Sequence, residues 1–114
     1  NLLSPQTLSS AKTALRRNGL FVAQTESLHF HREHLIKTQK SLIDLFDCVD
    51  LYTQSISTYP GNWWSFSIAS MLINPQVLAR QLKIPTRYYS PEVHKFSFFP
   101  RDLYKKLLNN ELDW

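Results

Sequence analysis

The feature that most constrains the fold is a short, wholly apolar segment, residues 20–23 (LFVA), directly after a helix stop signal. A continuous apolar run of this length is typical of a strand covered on both faces, as in a parallel sheet flanked by helices. Such a strand needs hydrogen-bonded neighbours on both sides. The segment therefore predicts a layered α/β sheet, and we expect the missing strands to come from upstream sequence.

Local signals predict two helices around this strand. Ser4 and Pro5 form a helix entry, and Asn18-Gly19 supplies a left-handed stop, so the first helix should cover residues 5–17. An apolar stripe at helical spacing, with charged residues opposite, predicts a second helix over residues 32–47.

The rest of the chain predicts a hairpin and a tail. Residues 50–57 are predicted to form a second strand, and residues 63–70 alternate between apolar and small polar side chains as a strand does. Turn residues join the two, so they should pair antiparallel. A short helix beginning at Asn74-Pro75 and a last helix over residues 101–109 should follow.

This order of elements predicts an α/β fold with parallel strands, one antiparallel hairpin strand and an incomplete sheet. Residues 1–73 are expected to be the C-terminal part of a catalytic domain. Residues 74–114 are expected to be a helical and aromatic tail packed on it. Trp63, Trp64 and Trp114 are expected to be core or interface residues.

Composition excludes several classes of function. Gly19 and Gly61 are the only glycines, whereas a dinucleotide fingerprint needs three within six residues and a P-loop needs two five residues apart followed by Lys-Ser/Thr. Cys48 is the only cysteine, so the chain can form no internal disulfide. No apolar run approaches the ~20 residues that cross a bilayer, so we expect no membrane partner. The net charge of +4 is scattered along the chain, which argues against a nucleic-acid partner.

Polar residues at one sheet edge are the candidate site. Gln24, Thr25 and Glu26 close the first strand, and Tyr59 follows the second. If the two strands are parallel neighbours, these side chains converge where open α/β sheets bind ligands. An amide, a carboxylate and a phenol suit a cationic amine. The pattern alone also fits polar residues that merely finish a sheet and meet water.

Three segments carry a resemblance to spermidine synthases. Residues 19–27 (GLFVAQTES) resemble the family's G-x-h-V-x-Q-x-E-S, where h is hydrophobic. Residues 58–66 (TYPGNWWSF) resemble T-Y-P-S-G-x-W-S-F, and residues 87–95 (RYYSPEVHK) resemble [KR]-Y-Y-N-x-x-[IV]-H-[RK]. They occur in the family's order from about residue 4 to the end. The resemblance implies a Rossmann-like, class I methyltransferase-type fold, of which this chain is the C-terminal portion.

The resemblance also implies an activity and its participants. The family transfers an aminopropyl group from decarboxylated S-adenosylmethionine to a diamine, usually putrescine, and releases methylthioadenosine. Gln24 and Tyr59 match its diamine-contacting residues, and Glu26 matches an acidic residue close to the amine path. The family's catalytic Asp and most of its donor site lie upstream, so no catalytic residue is expected in this chain and we expect it to be inactive alone. The resemblance further implies a homodimer or higher homo-oligomer, a cytoplasmic enzyme, and no cofactor beyond the donor co-substrate.

One departure from the family pattern, one histidine pattern and two alternative functions remain to be considered. Gly61-Asn62 replaces the family's usual Ser-Gly, which alters the turn after Tyr59. His29, His31 and His34 form an H-x-H-x-x-H pattern, but we expect no metal, and His31 resembles a family histidine at the helix entry. The chain could instead be a non-catalytic or split-gene subunit that binds polyamines or stabilises an assembly. A small basic nucleic-acid-binding domain is the third hypothesis.

Overall fold

The computed structural model of the chain describes residues 2–113, so Trp114 lies outside the described part. Within it the chain forms four helices and three strands in the order helix, strand, helix, strand, strand, helix, helix. These are α1 (Pro5–Ala14), β1 (Phe21–Ser27), α2 (Arg32–Leu45), β2 (Cys48–Ser55), β3 (Trp63–Ser70), α3 (Pro91–Ser97) and α4 (Arg101–Leu108).

The first helix begins where the sequence predicts and ends earlier. Ser4 is its N-cap, and the Ser4 hydroxyl accepts a hydrogen bond from the Thr7 backbone N–H at 3.3 Å. The helix ends at Ala14 because Leu15 turns to an extended conformation, with its N–H still bonded to the Ala11 and Lys12 carbonyls. The predicted end at residue 17 was therefore too late.

The three strands form one sheet in the order β1-β3-β2, and β3 is antiparallel to both neighbours. The predicted hairpin is confirmed, with Cys48 opposite Ser70 and Ser55 opposite Trp63. The condition that the two strands are neighbours is not met, because β3 lies between β1 and β2. Both still run in the same direction, so their carboxyl ends share one edge of the sheet.

Strand β1 is an edge strand with a single hydrogen-bonded neighbour among residues 2–113. Leu20 and Val22 are 47% and 48% exposed, so the segment expected to be buried on both faces is covered on one. The apolar character of residues 20–23 is typical of a strand covered on both faces, and residues 2–113 do not supply the second cover.

Helices α1, α2 and α4 pack on one face of the sheet, and α3 packs on the opposite face, where Phe98 contacts Tyr52. Helix α2 is central, since it contacts β1, β2, α1 and α4. One apolar cluster joins α1, the end of α2 and β3, and a second joins α2 to the C-terminal tail. The first contains Leu8, Leu42, Phe46 and Ala69, and the second contains Leu28, Leu35, Ile36, Leu51, Phe99, Tyr104, Leu107 and Leu112.

The tail differs from the sequence expectation in two places. Asn74-Pro75 begins a turn rather than a helix, with the Asn74 carbonyl and side chain accepting from Val77 and Gln76 N–H groups. Helix α3 was missed, although Ser90-Pro91 repeats the helix entry seen at the start of the chain and the Ser90 hydroxyl caps Val93 N–H at 3.1 Å. None of the described helices is long and apolar enough to cross a bilayer.

Candidate functional site

A β-bulge near the end of β1 shapes the candidate site. The register between β1 and β3 shifts between Gln24 and Glu26, and Thr25 is the extra residue. The Thr25 side chain is fully buried, 2.9 Å from the Ser65 hydroxyl and 3.0 Å from that of Ser67. Because the Thr25 side chain is held inside the sheet, the backbone of the adjacent Gln24 and Glu26 is held in place as well.

Glu26 has a strained backbone and a partly exposed carboxylate. Its φ of 69° lies in the left-handed region, where a residue with a Cβ is disfavoured by about 1–2 kcal/mol. Its carboxylate oxygen lies 3.2 Å from His31 Nδ1, and the two side chains are 44% and 45% exposed. The carboxylate is therefore partnered within the chain and still open to solvent.

Trp64, on β3, links the predicted site residues. Its indole N–H donates to the Gln24 side-chain oxygen at 3.2 Å. The Tyr59 ring lies on it with centroids 4.4 Å apart and an interplanar angle of 38°, and the His31 ring approaches edge-on at 6.5 Å. Trp64 is only 9% exposed, so its ring is held in place by packing. Gln24, Tyr59 and His31 of the Glu26–His31 pair all contact this ring.

The loop between β2 and β3 presents Tyr59. The Tyr59 N–H donates to the Ile56 carbonyl, and the Tyr59 carbonyl accepts from Asn62 N–H, both at 3.1 Å. Gly61 and Asn62 are both left-handed, at φ 79° and 57°. A Cβ at Gly61 would lie 2.9 Å from the exposed Phe30 ring, which can move aside, so the φ of 79° is the main reason that glycine is favoured there. The altered turn thus retains a tightly bonded loop.

The arrangement is suited to binding a cation. Gln24 offers a carbonyl oxygen with a second lone pair, Glu26 offers a carboxylate, and Tyr59 offers a hydroxyl beside two aromatic faces. Among residues 2–113 no group of three or more histidine, cysteine or acidic side chains could hold a metal ion. The three histidines of the H-x-H-x-x-H pattern do not form such a group; His29 instead lies against the Phe30 and Trp63 rings.

Sequence reasoning missed the parts played by Trp64 and His31. Trp64 was expected to be a core or interface residue, and His31 only a histidine at the helix entry. A buried tryptophan usually finds an acceptor for its N–H, and this rule was the available signal for Trp64. Nothing in the sequence pairs His31 with Glu26, because the contact depends on how the chain turns between β1 and α2.

One cavity in the described part of the chain is separate from the candidate site residues. A cavity of about 610 Å³ lies between β2, β3 and the tail, with Tyr52, Phe66, Tyr89 and His94 in its wall. Gln24, Glu26 and Tyr59 do not line it. Within residues 2–113 the candidate site is therefore distinct from this cavity.

Comparison with known proteins shows that the chain is similar to one family. A model of the spermine/spermidine synthase domain matches residues 1–78. A polyamine aminopropyltransferase of Hydrogenobaculum sp. (strain Y04AAS1) is 44% identical over 101 residues, which are 89% of this chain and 36% of that protein. Polyamine aminopropyltransferase 1 of Aquifex aeolicus is 44% identical over 98 residues, 86% of this chain and 35% of that protein.

The fold comparison agrees. The crystal structure of spermidine synthase from Thermotoga maritima matches with a TM-score of 0.80 at 26% identity, over 96% of this chain and 39% of that one. The α/β class and the methyltransferase-type fold are thereby confirmed for a partial sheet. The chain spans little more than a third of the length of these relatives. On the matched domain, the identities and the shared fold, the chain belongs to the spermine/spermidine synthase family.

Proposed function

We propose that the chain supplies the acceptor-amine side of a polyamine aminopropyltransferase site. In this reaction an aminopropyl group passes from decarboxylated S-adenosylmethionine to a diamine such as putrescine. The observation that carries the proposal is the grouping of Gln24, Tyr59 and the Glu26–His31 pair around Trp64. Family membership supplies the reaction class, and the residues supply the chemistry of the acceptor.

The physical basis is the cost of removing a diammonium ion from water. An ammonium group that enters a protein cleft needs hydrogen-bond acceptors and opposite charge to replace its hydration. Glu26 provides the charge, Gln24 the neutral acceptor, and the Tyr59 and Trp64 rings provide π faces. The methylene chain of the diamine would lie along the same rings, which are apolar on their faces.

The transfer itself needs more than this edge. The acceptor nitrogen loses a proton and its lone pair attacks the carbon bonded to the donor sulfonium. The carbon–sulfur bond breaks, and its electron pair leaves with methylthioadenosine. Orientation of the nitrogen along that line is a large part of catalysis. The family's catalytic Asp has no counterpart in the chain, so the proposed role of the chain is to hold the acceptor, and we predict no turnover alone.

Three further parts of the proposal rest on the family. A relative with 26% identity was solved as spermidine synthase in complex with the transition-state analogue AdoDATO. We propose residues 1–73 as the C-terminal part of the catalytic domain and residues 74–114 as its packed tail. The donor is proposed to bind mainly outside this chain. Homo-oligomers and a cytoplasmic location stay predictions.

The proposal is tested by titrating putrescine into the chain at constant ionic strength. The Trp64 indole N–H and the Gln24 side-chain amide should shift in NMR spectra, because both lie at the proposed amine site. Tyr59→Leu should weaken this binding by about tenfold, since it removes a hydroxyl and a π face. Tyr89→Leu is the matched control, because Tyr89 is 40% exposed against 39% for Tyr59 and its hydroxyl bonds His94, and it should bind as the parent does.

Two outcomes would contradict the proposal. If saturating putrescine leaves both signals unmoved, this edge is not an amine site. If the chain alone releases methylthioadenosine from decarboxylated S-adenosylmethionine and putrescine, the predicted dependence on a catalytic group outside the chain is wrong.

A further inference from the structure

His31 occupies a position that a helix normally gives to a different kind of residue. It is the N-cap of α2, and its side chain makes no capping hydrogen bond. Ser, Thr, Asp and Asn are preferred there, because their short oxygens accept from the free N–H groups of the first turn. The His31 side chain lies instead 3.2 Å from the Glu26 carboxylate. The start of α2 therefore gives up a local stabilising contact.

Glu26, the other residue of this contact, also has an unfavourable local conformation. It holds a left-handed φ of 69° at the bulge, where glycine or asparagine would be easier. Two unfavourable local choices thus meet in one side-chain pair. Departures of this kind persist where function requires them, and they are rare elsewhere in a sequence consistent with its fold.

The geometry of the pair gives it a specific use. A carboxylate only accepts hydrogen bonds, so the His31 Nδ1 that faces it must carry a hydrogen. One carboxylate oxygen then lies at His31, and the rotation of the Glu26 side chain is restricted. The His31 ring is itself held edge-on by Trp64, 6.5 Å away, which is the indole that also fixes Gln24 and Tyr59.

We propose that His31 is a positioning residue for the acceptor amine, which orients the Glu26 carboxylate so that its second oxygen meets the ammonium group. The inference rests on the proposed function of this edge. His31 acts through Glu26 and does not itself contact the reacting atoms.

The test uses a substitution that separates folding from binding. His31→Ser provides a good N-cap and removes the contact to Glu26, so it should raise the urea midpoint of unfolding. It should nevertheless weaken putrescine binding by about threefold to fivefold, measured calorimetrically, the size expected for a half-exposed charged contact. His31→Asn caps the helix and keeps a donor near the position of Nδ1, so it should restore affinity to within about twofold of the parent.

A double-mutant cycle with Glu26→Gln decides whether His31 acts through Glu26. Glu26→Gln should weaken putrescine by about tenfold or more, and adding His31→Ser to it should change the affinity less than twofold. If His31→Ser leaves the affinity of the parent unchanged, or if His31→Asn fails to restore it, the positioning role is overturned while the amine site stands. If Glu26→Gln binds putrescine as tightly as the parent does, the proposed amine site itself is wrong, and the role of His31 is wrong with it.

Discussion

Two carboxylates of this chain sit in opposite environments. Asp50, near the start of β2, is 1% exposed and accepts from Leu51 N–H at 2.8 Å, from the Gln76 amide at 2.6 Å and from Arg101 at 2.5 Å. Glu26, at the end of β1, is 44% exposed, left-handed, and 3.2 Å from His31. Asp50 is saturated by its own chain, whereas Glu26 retains capacity for a ligand.

The difference separates a structural carboxylate from one available to a ligand. Around Asp50 the tail, the 74–77 turn and β2 are tied together. Gln39 donates to the Asp50 carbonyl at 3.4 Å and accepts from the Tyr104 hydroxyl at 2.5 Å, so α2 and α4 join the same network. A buried charge needs such partners, because burying it without them would destabilise the folded state. The Glu26 carboxylate is half-exposed and does not need such partners, and its left-handed backbone destabilises the folded chain.

The largest expected effect is at Asp50. Asp50→Asn keeps the size of the side chain and replaces one acceptor oxygen by a donor, which faces the Gln76 or Arg101 donors or the Leu51 N–H. We expect the free energy of unfolding in urea to fall by about 2–3 kcal/mol. Arg101 is half-exposed and stays hydrated, which limits the loss. A change below about 0.5 kcal/mol would contradict the structural role.

Tyr104 should give a smaller loss and a pH signature. Burial, and secondly the Asp50 charge, raise the pKa of Tyr104 to about 12, although Arg101 acts in the opposite direction. The folded pKa lies above the unfolded value near 10, so this contribution to stability is complete below pH 10 and lost as pH rises towards 12.

Tyr104→Phe tests both parts of this expectation. It should cost about 1 kcal/mol at pH 7, because the hydrogen bond to Gln39 is lost, and it should flatten the decline in stability between pH 10 and 12. Tyr88→Phe, at an exposed tyrosine, is the control and should keep the decline. An unchanged slope in Tyr104→Phe would show that the network does not hold this phenol neutral.

The smallest effect has the opposite sign. Glu26→Gly relieves the left-handed backbone, so it should raise the free energy of unfolding by about 0.5 kcal/mol, after the entropy of glycine and the lost His31 contact are counted. Putrescine affinity should fall at the same time. Asn110→Gly is the matched control, because Asn110 is also left-handed, at φ 56°, and its replacement should leave putrescine binding unchanged.

Local signals in the sequence predicted where helices and strands lie better than they predicted which strands pair with each other. Ser4-Pro5 predicted the start of α1, and alternation predicted β3 at residues 63–70 with both bounds correct. The same kind of signal at Ser90-Pro91 was overlooked, so α3 was missed. The strand order could not be predicted in this way, because the insertion of β3 between β1 and β2 is decided by pairing over long range.

The candidate site was predicted only in part. Gln24, Glu26 and Tyr59 were found because parallel strands end at one edge and because three motifs resemble a family. Trp64 and His31 were not, since an indole that bonds Gln24 and an N-cap histidine turned towards Glu26 are properties of the folded chain. The roles of all these residues in binding an amine stay predictions.

The contrast between the two carboxylates is tested most directly by neutralising each in turn and measuring putrescine affinity together with unfolding in urea. Glu26→Gln should weaken putrescine by about tenfold or more with little change in stability, and Asp50→Asn should reduce stability with little change in affinity at temperatures where it is folded. The account would be contradicted if Glu26→Gln bound putrescine as tightly as the parent, or if only the Asp50→Asn variant, while folded, lost putrescine affinity.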